Sequence, residues 1–80
     1  MLLRLLVNGV GPCDDRLLGF WQTIEVVAED LAVAAEVVRA HMAANGCEMK
    51  LIEEHEILDG ARVGPPAVVK SSGRAFYEDE

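Results

Sequence analysis

Apolar and polar positions change period twice along the chain. From Phe20 to Ala28 they alternate, with Phe20, Gln22, Ile24, Val26 and Ala28 on one side and Trp21, Thr23, Glu25 and Val27 on the other. Period two predicts a strand, and its first side is the better core face. From Leu31 to Ala44 the spacing becomes helical. Asp30 suits the N-cap, Glu29 adds negative charge near the positive helix end, and Asn45-Gly46 supplies the stop. Glu48 to Leu58 alternates again until Ile52 breaks the phase. A β-bulge near Leu51-Ile52 would restore an inward face, and an edge position would tolerate the charges that follow.

Shorter runs flank this strand–helix–strand unit. Leu2 to Val7 is apolar on both faces, as in a central strand. Asn8-Gly9 and Gly11-Pro12 read as its end, with residues 9–19 as a loop whose polar tip is Cys13-Asp14-Asp15-Arg16. Ala67 to Lys70 and Arg74 to Tyr77 are brief β-like runs around Ser71-Ser72-Gly73. They fit a small hairpin or an arm docked on a neighbour. Residues 77–80 read as a frayed tail.

Eighty residues make one domain. A strand–helix–strand connection leaves a gap between its two parallel strands, which Leu2–Val7 can fill running antiparallel. The expected fold is therefore α+β: a two-layer sandwich with one helix on a small, mostly antiparallel sheet. The order is second strand, first strand, third strand, with a C-terminal β-hairpin or arm at an edge. This ββαβ core resembles half of a ferredoxin-like split β-α-β fold. The resemblance is architectural and implies no particular family.

Two features predict self-association. On the helix, Leu31, Ala35, Val38 and Met42 form the main core stripe, while Val33, Val37, Ala40 and Ala44 form a second apolar stripe nearly opposite. One helix also covers only one face of a sheet, leaving Leu2, Leu6 and Trp21 on the other. A homodimer, through the sheet face or the helix back, is the expected state.

Composition narrows the function. The formal charge of −7 disfavours nucleic acid and anionic membrane. Two widely spaced cysteines, Cys13 and Cys47, suit a reducing compartment, and the sequence reads as cytoplasmic. The apolar start is too short, and too soon broken by Arg4, for a signal peptide.

Catalytic patterns are weak. Cys13, His41, Cys47 and His55 show none of the short paired spacings of zinc sites, so no metal is expected. Asp14 and Asp15 disfavour a thiolate at Cys13. Gly9-Val10-Gly11-Pro12 lacks the Lys-Ser/Thr of a phosphate loop, and its glycines read as turn residues. Glu53, Glu54, Glu56 and Asp59 form an acidic cluster around His55, suited to a solvated edge or to a basic protein partner.

The leading expectation is a small acidic, non-enzymatic protein-interaction module without a cofactor. One alternative is an immunity- or antitoxin-like inhibitor of a basic toxin or nuclease. Another is a small-molecule-binding protein or enzyme of ferredoxin-like dimer type, with Phe20, Trp21, Gln22 and His55 lining its cavity. That last idea rests on fold analogy alone.

Overall fold

The structure is a computed structural model that describes residues 1–77. The expected tail residues Glu78, Asp79 and Glu80 lie outside the described residues. The elements are β1 (Leu2–Cys13), β2 (Arg16–Val27), α1 (Leu31–Ala44), β3 (Glu48–Asp59), β4 (Ala67–Ser71) and β5 (Ala75–Tyr77). They form an α+β fold, one helix packed on a five-stranded antiparallel sheet of order β3-β1-β2-β4, with β5 also paired to β2.

The first strand is twice its expected length. β1 and β2 pair without interruption from Leu2–Val27 to Cys13–Arg16, and the chain reverses at Asp14-Asp15, where Asp14 takes φ 56°. Asn8-Gly9 and Gly11-Pro12 therefore lie within a strand and end nothing. The glycines continue the period-two row of Leu3, Leu5 and Val7 on the buried side. They are small because the helix side of the sheet is crowded there. A Cβ on Gly9 would meet Met42 Cε at 2.6 Å and the Glu48 carbonyl oxygen at 2.8 Å; one on Gly11 would meet Cys47 Sγ at 2.7 Å. Pro12 lies beyond the last β1–β3 pair, Val10–Glu48, where β1 has only β2 as neighbour and one missing N–H is harmless.

The core lies between α1 and this side of the sheet. Leu3, Leu5, Val7, Phe20, Ile24 and Val26 are buried against Ala34, Val38 and Met42. The helix begins where expected: the Asp30 carboxylate accepts a hydrogen bond from the Val33 N–H at 2.8 Å. Its buried line runs through Ala34 rather than Ala35. That rotation brings Val33 and Val37 half-buried onto the core of their own chain, so the helix has one broad apolar face and not two opposed stripes. Ala40 and Ala44 are exposed.

β3 is an edge strand with register shifts between Leu2/Leu3, Leu6/Val7 and Asn8/Gly9 of its neighbour β1. Two of these shifts bracket Leu51-Ile52. The extra residues let Met49 and Ile52 both pack towards the core despite the broken alternation.

The C-terminal runs do not form a hairpin with each other. β4 pairs with Val27 to Ile24 and β5 with Trp21 to Gly19, so the two lie in line along the free edge of β2. Ser72 bridges the gap. Its N–H donates to the Thr23 carbonyl oxygen at 2.9 Å, and its hydroxyl accepts from the Thr23 N–H at 3.0 Å. The Gln22 amide also donates to the Ser72 carbonyl oxygen at 2.8 Å. Both runs therefore pack on their own chain. Tyr77, expected in the tail, ends β5.

Candidate functional site

Because the helix lies on one side, the other face of the sheet meets solvent, apart from the corner where the 60–66 loop approaches Val27. Cross-strand partners share a face in a sheet, so the register lays this surface out row by row. Leu51, Asn8, Trp21 and Ala75 form one row across β3, β1, β2 and β5. Glu54, Leu6 and Thr23 form the next. Glu56, Arg4, Glu25 and Lys70 form the third, and Asp59, Leu2, Val27 and Ala67 the fourth. Leu17, Leu51 and Trp21 are 71%, 48% and 43% exposed. Leu2, Leu6 and Val10 are half-buried among them.

Part of this face is tied together by side-chain contacts. The Tyr77 ring stands 4.4 Å, centroid to centroid, from Trp21. Its hydroxyl accepts a hydrogen bond from Asn8 Nδ2 at 2.6 Å. Phe76 turns to the opposite face and packs on Phe20 at 5.4 Å, with the Arg74 guanidinium 5.6 Å above the same Phe20 ring. These aromatics thus fasten the edge strand.

A groove of about 680 Å³ opens where the face meets the β3 edge, lined by Arg4, Leu6, Thr23, Glu53, Glu54, His55 and Glu56. Arg4 donates to a Glu56 carboxylate oxygen at 2.5 Å. Three of the four acidic cluster residues and His55 therefore border one depression, while Asp59 stands at the far end of β3 in the row of Leu2. Glu54 and Glu56 belong to the open face; His55 pairs with Leu5 on the helix side and Glu53 is a bulge residue.

The candidate small-molecule set is not brought together. Phe20 and Gln22 are buried on the helix side, Trp21 lies on the opposite face, and His55 is two strands away on the β3 edge. The thiols are also separate: Cys47 is buried against Gly11, and Cys13 closes β1 beside the turn.

Of the self-association residues, Leu2, Leu6 and Trp21 share the open face, Val33 and Val37 pack on the core, and Ala40 and Ala44 lie on the exposed side of α1. Sequence reasoning missed Asn8, Leu17, Leu51 and Tyr77 as members of the open face. Their positions depend on the extended hairpin, the β3 bulges and the pairing of β5. Compared with protein-family models, curated proteins and solved structures, the chain matches none.

Proposed function

We propose that this protein is a non-enzymatic interaction module that self-associates through the uncovered face of its sheet. One observation carries the reading. A single helix shields one face, and the other leaves Trp21, Leu17 and Leu51 in solvent around half-buried Leu2, Leu6 and Val10. Burying one such side chain contributes roughly 1.5–3 kcal/mol, so several together rival the whole stability of a small domain. The half-ferredoxin-like description of the ββαβ core belongs to the same proposal, since one such unit brings one helix and one covered face. A cytoplasmic site suits the two free cysteines. Light scattering over a dilution series tests the reading. The wild-type chain should have the mass of a dimer, and Trp21→Glu should reduce it to a monomer with an unchanged far-UV spectrum. A wild-type monomer at every concentration defeats it.

A second reading has its own observation. Glu53, Glu54 and Glu56 border a groove with an apolar element, Leu6. That suits an inhibitor of the immunity or antitoxin kind, covering a basic surface on a toxin or nuclease. Opposite charge would speed the encounter and set its specificity. Association with such a protein should weaken steeply with added salt, and salt-independent binding counts against this reading.

A further inference from the structure

We infer that two copies of this chain stack open face to open face about a two-fold axis parallel to the strands, an arrangement selected by one row of charges. The inference rests on the self-association proposed above and adds which way the copies face. The row is Glu56, Arg4, Glu25 and Lys70, side by side across β3, β1, β2 and β4. Its signs alternate, minus, plus, minus, plus. Arg4 and Glu56 are ion-paired, whereas the side chains of Glu25 and Lys70 make no hydrogen bond or ion pair among the described residues.

A row with this pattern is self-complementary in one sense only. A two-fold axis along the strands reverses the row, so Glu56 of one copy meets Lys70 of the other and Arg4 meets Glu25. Every opposed pair is then opposite in sign. A two-fold axis across the strands, lying in the row itself, sets each residue against its own copy, and all four contacts become like-charge. Like-charge juxtaposition in an interface is strongly unfavourable and excludes that docking sense. Both axes keep the strands of the two sheets aligned, so the charged row is what selects between them.

The rows on the side away from Val27 supply the attraction. The reversal places Leu6 over Thr23, Trp21 over Asn8 and Leu51 over Ala75, away from the corner at Val27 that the 60–66 loop covers. Pairing of two β3 edges is the less suitable contact, because that edge is broken by three register shifts and carries Glu53, Glu54 and Glu56.

The test is a charge-swap cycle read by light scattering on the full chain, with circular dichroism to confirm folding. Both substituted positions are exposed, and they lie on opposite sides of the β1–β2 pair, so they couple weakly within one chain. Glu56→Lys and Lys70→Glu should each raise the dimer dissociation constant about tenfold or more, since each turns two attractive contacts per dimer repulsive. Net charge cannot mimic this, because the two substitutions move it in opposite directions. The double variant restores both contacts and should return to within about threefold of wild type. If the wild type dimerises but the singles change nothing, or the double loses as much as the singles combined, the arrangement is wrong although self-association stands. If the wild type is monomeric throughout, the self-association reading falls and this inference with it.

Discussion

The ring of Tyr77 lies over Gly19, its cross-strand partner, so closely that a Cβ on Gly19 would stand 2.5 Å from Tyr77 Cζ. The aromatic covers a stretch of strand that has no side chain of its own, and Asn8 holds its hydroxyl. Gly19→Ala should therefore displace the ring and free β5. Tyr77→Phe should cost about 1 kcal/mol through the lost hydrogen bond. Urea denaturation gives both values, and Trp21 fluorescence reports the ring directly because the two side chains touch.

Gly9 and Gly11 should tolerate a methyl group poorly. Each faces the helix side, where Met42, Cys47 and the Glu48 carbonyl oxygen fill the space a Cβ needs. Gly9→Ala is expected to destabilise by roughly 1–3 kcal/mol, as overpacked cores do. Gly73 has open space around it, so Gly73→Ala should be neutral or stabilise by up to about 1 kcal/mol. Equal effects at the two positions would contradict the packing described for β1.

The helix has one apolar face, and single charges should reveal it. Val37 packs against the core cluster, whereas Ala40 is exposed. Val37→Glu should lower the unfolding free energy by about 1–2 kcal/mol, part of the value of a buried valine. Ala40→Glu should stay within about 0.5 kcal/mol of wild type. Thermal melts followed at 222 nm separate the two outcomes.

Helix initiation depends on Asp30. Its side chain satisfies the Val33 N–H, which has no partner within the helix. Asp30→Ala should cost about 1 kcal/mol, and Asp30→Asn or Asp30→Ser should recover most of it. A chemical denaturation series of the three variants is sufficient.

The thiols should differ in accessibility. Cys47 is buried against Gly11, and Cys13 is half-buried beside the Asp14-Asp15 turn. In native protein one thiol per chain should react quickly with a small disulfide reagent, and mass mapping should place the label on Cys13. The second should react only as the fold opens.

The local sequence determined the elements whose signals are short-range. The strand from Phe20, the capped helix and the charged third strand follow from period, capping and composition, because each expresses contacts between residues a few positions apart, although β2 begins earlier, at Arg16, and ends at Val27 rather than Ala28. The antiparallel placement of β1 between β2 and β3 also follows, since the strand–helix–strand connection leaves a gap between its two parallel strands that β1 can fill. What tertiary structure decided were the places where one residue type serves two purposes. Glycine closes turns and also vacates space, and only the positions of Phe20, Met42 and Cys47 show that Gly9 and Gly11 do the second. The helix phase was likewise settled by which alanine meets the sheet, as Ala34 and Ala35 are equivalent in sequence but not in packing. The open face was the least legible part. Its contacts join residues as far as 69 positions apart, as in the hydrogen bond from Asn8 to Tyr77, and a bulge in β3 changes which charges stand together. No local pattern encodes such a surface, because strand register is chosen by the fold as a whole.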